Sequence, residues 1–368
     1  MILNDIIIHN IIRKRILNNS LKKKNKKDIF WVFLKDSICE TIWRIRRIYK
    51  RIYRIVSHKT SICRILDSYI SLEESSLKWG EERRKIWNIE ENKKLESLVW
   101  NIYVELCLSV SVYSEWKDLL YRAGSLDSFE EIKFIDTVIT SILLKKKIEY
   151  SYREDMCSKQ CLCLRYSVMS IFFIQKEKKS IMQKCLTEVE YYQNQKMFEE
   201  IWDALIVSGK GIQNNKKNWV MLGFQGDDPS TDFRSMGIFG LQLLHHFVLT
   251  QNEYTKIMIS ESRSNHTDIN LPWYSFALAA INILAYIIDL MNENRLERIF
   301  IQCYNYSVYV EETIKHLFCY TFISFHHFWR HQVSTKNVRT VFDFERCLKR
   351  FKKETRDDIT MGNNMFKF

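Results

Sequence analysis

The stretch Trp219–Leu241, WVMLGFQGDDPSTDFRSMGIFGL, holds four of the chain's nine glycines and one of its two prolines. It also sets a guanidinium, Arg234, and an amide, Gln225, beside a run of turn-forming residues. Gly226-Asp227-Asp228-Pro229 is turn chemistry: glycine permits positive φ, and Asp228 before Pro229 suits an N-cap followed by the first helical position. Ser230, Thr231 and Asp232 continue a helix start, which puts Arg234 in or near the first turn. A cation there opposes the helix macrodipole. Two explanations stand: a carboxylate from elsewhere pairs with Arg234, or the guanidinium is kept for a partner. Gln225 also has two readings, orienting a water or bonding the loop's own backbone, because a tight loop leaves amides and carbonyls needing partners. Gly237 and Gly240 fall where a missing side chain lets another element approach closely.

No second constellation competes with this corner. Cys157, Cys161 and Cys163 form C-x3-C-x-C, without the second pair or the histidines that a zinc site requires. His245 and His246 are adjacent and face different ways on a helix. His327 and His331 are one turn apart but lack the acid of an H-E-x-x-H motif, so core or surface roles are expected. No phosphate-binding loop, nucleophile elbow or dinucleotide fingerprint is present. No metal, no cofactor and no autonomous active site are expected.

The corner interrupts a sequence otherwise suited to helices. Two prolines and nine glycines in 368 residues are too few for the turns of a β-sandwich or a βαβ array, so the expected fold is all-α. Residues 1–66 carry 17 Lys and Arg against 4 Asp and Glu, a local charge of +13 in a chain of net +12. The basic character therefore belongs to an N-terminal arm, and nucleic-acid binding by the remainder is not expected. Within the arm, residues 1–28 read as a disordered basic tail or as a product of biased codons. Across residues 29–66, Ile38, Ile42, Ile45, Tyr49, Ile52 and Val56 make an apolar stripe at helical spacing, with Arg44, Arg46, Arg47, Lys50, Arg51 and Arg54 on the other faces. Phe30, Trp31, Phe33 and Trp43 add aromatic anchors. Such a helix suits an anionic membrane surface, or else docks on the body through its stripe.

Residues 67–192 read as a helical region without a site. The longest apolar run, Phe276–Met291, includes Asn282 and Asp289 and is shorter than the roughly 20 residues that cross a bilayer, so it reads as a buried core helix. The ten cysteines lack a disulfide-framework spacing. With no signal peptide recognised, reduced thiols in the cytoplasm are expected, with peripheral membrane association through the arm.

The pattern W-x3-G-F-Q-x3-P-x-T-D-F-R-x2-G-x3-L resembles the signature of the ELMO-domain family. It is met at Trp219, Gly223, Phe224, Gln225, Pro229, Thr231, Asp232, Phe233, Arg234, Gly237 and Leu241. Tyr274–Ile283, Leu317–Trp329 and Val341–Phe344 resemble the family's core and C-terminal helices, and the likeness covers roughly residues 193–360. It implies a multi-helix ELMO domain over that range. Small proteins of this family stimulate GTP hydrolysis by Arf-family and Arf-like GTPases and require the motif arginine. Larger engulfment scaffolds lack that arginine and act as adaptors for an exchange factor. Retention of Arg234 places the chain with the first branch. The resemblance then implies an Arf-family partner carrying its own GTP and magnesium, with Arg234 and Gln225 as catalytic candidates. Trp219, Gly223, Phe224, Gly226, Asp228, Pro229, Thr231, Asp232, Phe233 and Gly237 are the implied motif and partner-binding residues. The alternative is a non-catalytic adaptor that binds a GTPase or exchange factor at a membrane.

Overall fold

The computed structural model describes residues 41, 44, 45, 48–50, 59–72, 77, 89–125, 128–148, 159–206, 212, 213, 216–262, 268–305 and 308–361. The basic tail, the aromatic residues Phe30, Trp31, Phe33 and Trp43, the stripe positions Ile38, Ile42, Ile52 and Val56, and Cys157 lie outside them. The described chain is helical: α1 (Ser61–Asp67), α2 (Ile89–Leu108), α3 (Tyr113–Arg122), α4 (Ser128–Lys146), α5 (Lys159–Leu186), α6 (Gln195–Leu205), α7 (Gly237–Thr250), α8 (Asn252–Ser262), α9 (Phe276–Asn292), α10 (Glu297–Asn305), α11 (Val310–Ser334), α12 (Phe344–Glu354) and α13 (Arg356–Met361). The all-α expectation holds. Among the described residues, the one departure is a short antiparallel pair, Ile212–Gln213 with Lys216–Lys217.

The chain divides into two compact units, residues 1–177 with 293–309 and residues 178–292 with 310–368. In the first, Leu95, Leu98, Val99, Ile102 and Leu106 are buried along one face of α2 at the three- and four-residue steps of a helix. Thr60 caps α1, its Oγ1 accepting from the Cys63 N–H at 3.3 Å. This unit offers no constellation of metal-ligating side chains among its described residues. Cys161 and Cys163 are buried thiols outside any disulfide, and burial pushes Cys163 up to about 11, which keeps it protonated.

The second unit is built on α9. Its side chains are buried on most faces, while Asn282 and Asp289, two turns apart, point outward together. The apolar run is therefore a core helix with one wet edge. No single helix among the described residues is long and apolar enough to cross a membrane. Phe276 on α9 meets Phe247 of α7 and Phe322 of α11, with ring centroids 6.5 and 5.2 Å away. Phe318 of α11 closes the cluster, 5.8 Å from Phe247. The unit starts at Lys178, within α5. It therefore begins ahead of residue 193, where the family resemblance sets in.

Candidate functional site

Six aromatic rings make the platform beneath the corner. Phe198 and Trp202 come from one face of α6, where Phe198, Ile201 and Trp202 are buried at positions i, i+3 and i+4. Trp219 packs edge-on to both, at 5.7 and 5.2 Å, and Tyr191 stacks on Phe198 at 5.1 Å. Phe224 lies 5.6 Å from Trp219 and 6.1 Å from Phe233. Trp219, Phe224 and Phe233 are each no more than 3% exposed. They hold the two ends of the loop on one apolar base.

Backbone contacts fix the corner's shape. A 3-10 turn, Trp219–Leu222, ends at Gly223, whose φ of +81° is the left-handed region glycine favours. A Cβ on Gly223 would stand 2.5 Å from the Phe276 backbone nitrogen at the start of α9. Ser275 Oγ donates to the Gly223 carbonyl. Further along, Asp228 caps a second 3-10 helix, Pro229–Ser235: its Oδ1 accepts from the Ser230 N–H at 2.9 Å and from Ser230 Oγ at 2.6 Å. Thr231 Oγ1 donates to the Asp228 carbonyl at 2.9 Å. Asp232 closes the loop, because its Oδ2 accepts the Gln225 N–H at 2.9 Å across seven residues.

Here the structure corrects the expectation for Arg234. One helix was expected to begin at Pro229 and continue, which would set the cation against the positive end of the dipole. Instead, the 3-10 helix stops at Ser235 and α7 starts afresh at Gly237, with φ of +51°. Arg234 stands in the last turn of the first helix, where free carbonyls favour a cation. The chain breaks there because Gly237 must rest on the end of α5. A Cβ on Gly237 would lie 2.5–2.6 Å from the carbonyl oxygens of Lys184, Cys185 and Thr187, and the Ile238 N–H donates to Thr187 at 2.9 Å. At Gly240 the close neighbour is the preceding 3-10 helix: a Cβ there would lie 3.0 Å from the Phe233 ring and 2.9 Å from Met236 Cβ.

The Arg234 side chain is exposed and makes no hydrogen bond or ion pair among the described residues. Asp232 is half-buried; burial raises its carboxyl above the usual range, while the Gln225 N–H and the Arg234 charge act to lower it. Gln225 is exposed as well, and its amide bonds no loop backbone. The loop instead uses the Gln225 main-chain N–H, held by Asp232, and leaves the side chain to solvent. Trp219, Gly223, Phe224, Pro229, Phe233 and Gly237 were expected among motif or partner-binding residues. All six are buried, so they shape the corner and are closed to direct contact with a partner. Gln225, Asp228, Thr231 and Arg234 face solvent, while Gly226 and Asp232 are partly covered.

Replacing Asp232 by Ala should free the Gln225 N–H and loosen the loop without opening the core. An exposed N–H can turn to water, so the expected cost is about 1 kcal/mol in urea unfolding. A loss as large as that of a core residue would show that Asp232 supports more than this loop.

Sequence reasoning missed Phe198, Trp202, Ser275 and Thr187. The helical spacing of the first two signalled a buried face, but nothing local indicated which face of the corner they meet. Ser275 lies beside Tyr274, a buried residue whose hydroxyl meets His326 Nδ1 at 2.8 Å; His326 Nε2 meets Glu261 at 2.8 Å. His326 is thus a satisfied core histidine, lowered below the usual imidazole value chiefly by burial. His327 bonds Tyr254, and His245 Nε2 lies 2.6 Å from Glu200.

The fold and site together define a class: an α-helical domain that presents one exposed guanidinium on a preset, glycine-pinned corner. Residues 180–348 match the ELMO/CED-12 family model, and this segment belongs to that family. The chain is similar to ELMO domain-containing protein 2 of Bos taurus, with 30% identity over 199 residues, 53% of this chain and 64% of the relative. It is 28% identical to the Homo sapiens protein of that name over 219 residues, 59% of this chain and 70% of the relative. ELMO domain-containing protein B of Dictyostelium discoideum is 31% identical over 176 residues, 47% of this chain and 57% of the relative. The chain thus spans 57% to 70% of these relatives' lengths. No solved structure matches the chain significantly.

Proposed function

We propose that the ELMO domain stimulates GTP hydrolysis by an Arf-family small GTPase, with Arg234 entering the partner's nucleotide site. The observation that carries this reading is the exposed guanidinium, unpaired among the described residues, on a corner held by other residues. A structural arginine would be spent on a carboxylate. Asp232, the acid nearest in sequence, instead gives Oδ2 to a main-chain N–H.

In such a complex the GTPase holds GTP and magnesium itself. As the bond to the γ-phosphoryl group breaks, negative charge spreads over the phosphoryl oxygens and the leaving oxygen. An arginine supplied in trans offers two parallel N–H donors to that charge. The effect is worth about 10³ to 10⁵ in rate, or about 4 to 7 kcal/mol of barrier. Pre-organisation is this chain's own contribution: Gly223, Gly237 and Asp232 fix the loop before any partner arrives, so little ordering cost remains on binding. Gln225, exposed on the same loop, is the second candidate to reach the nucleotide site.

The test is single-turnover GTP hydrolysis by a panel of purified Arf-family GTPases with and without the full chain. Acceleration of at least one member by about 10³ or more is expected. Binding without acceleration across the panel would favour the adaptor reading.

A further inference from the structure

Within the basic arm, Lys50 and its described neighbours face in different directions. Residues 44, 45 and 48–50 are helical, and Lys50 Nζ lies 2.6 Å from both carboxylate oxygens of Glu105, which is 6% exposed on α2. Ile45, Ile48 and Tyr49 share one face at positions i, i+3 and i+4, and they are 60%, 57% and 58% exposed. At 3.6 residues per turn, Lys50 stands roughly 140° round the helix from Ile45. A helix docked through its apolar stripe would bury the isoleucines and free the lysine. At the described positions the arrangement is the reverse: Lys50 is the anchor, and Ile45, Ile48 and Tyr49 are turned outward.

We propose that Ile45, Ile48 and Tyr49 form a membrane-docking face that settles on an anionic lipid surface, held outward by the Lys50–Glu105 pair. Charge identifies the partner. Between Thr41 and Leu66 the sequence has eight Lys and Arg and no Asp or Glu. Arg44 beside the apolar residues is exposed. An interface with anionic headgroups above hydrocarbon complements both the net positive charge of this stretch and the exposed isoleucines. A tyrosine at the edge of such a face places its ring in the apolar boundary and its hydroxyl among headgroups. The inference is independent of the role of Arg234.

The experiment is co-sedimentation of the full chain with vesicles of phosphatidylcholine, alone or mixed with phosphatidylserine, at low and high salt. Binding to the mixed vesicles is expected, weakening steeply with salt. The double variant Ile45→Asp, Ile48→Asp should bind at least about tenfold more weakly, since two apolar side chains lose their burial. Its melting temperature should be unchanged, because both side chains already face solvent. Undiminished vesicle binding by the double variant would overturn the proposal. So would a wild-type chain that ignores phosphatidylserine vesicles, or one that forms a dimer which the double variant abolishes.

Discussion

Gly237→Ala should destabilise the second unit by about 2 to 5 kcal/mol. Part of this cost is conformational: at φ of +51° an alanine is forced into the left-handed region, for about 1 to 2 kcal/mol. The rest is overpacking, typically about 1 to 3 kcal/mol, because the new Cβ would sit 2.5–2.6 Å from three carbonyl oxygens at the end of α5. Neither side can retreat cheaply, since the contacts are main chain on main chain and the Ile238 N–H is bonded to Thr187 at the same place. Gly226→Ala is the internal control. Its Cβ would meet nothing within 4 Å, and its φ is not left-handed, so a change of less than about 1 kcal/mol is expected. Urea unfolding with equal slopes for both variants is the measurement. A Gly237→Ala protein as stable as the wild type would mean that α7 does not rest on the end of α5.

Much of this arrangement was legible in the sequence because the signals are local. The scarcity of proline and glycine gives the helical class, and Asp228-Pro229 gives the cap that Asp228 in fact provides. The spaced residues from Trp219 to Leu241 identify the corner and its family. What stayed hidden depends on contacts distant in sequence. The socket for Trp219 comes from Phe198 and Trp202, and the clamp on Gly223 comes from Ser275, 52 residues away. The break between the 3-10 helix and α7 was hidden for the same reason. Ser230, Thr231 and Asp232 read as the start of one continuous helix, and only the carbonyls of α5 explain why Gly237 must reset the chain. In the arm, helical spacing separates Lys50 from Ile45, but only the buried Glu105 shows that Lys50 is the one turned inward.

Arg234→Lys should separate chemistry from architecture. The side chain is exposed and bonded to nothing among the described residues, so the substitution should leave the melting temperature within about 1 °C of wild type. Lysine keeps the charge, so electrostatic attraction to the partner should also persist. What it loses is the planar fork that contacts two phosphoryl oxygens at once. If that fork stabilises the transition state, most of the roughly 10³- to 10⁵-fold stimulation should vanish while binding remains. An adaptor predicts the opposite, because a surface lysine would serve recognition nearly as well. The decisive measurement is therefore single-turnover GTP hydrolysis by the responsive GTPase, with saturating wild-type or Arg234→Lys protein. A folded, partner-bound lysine variant that leaves hydrolysis near the intrinsic rate is the expected result; one that stimulates as fully as wild type would contradict the arginine's catalytic role.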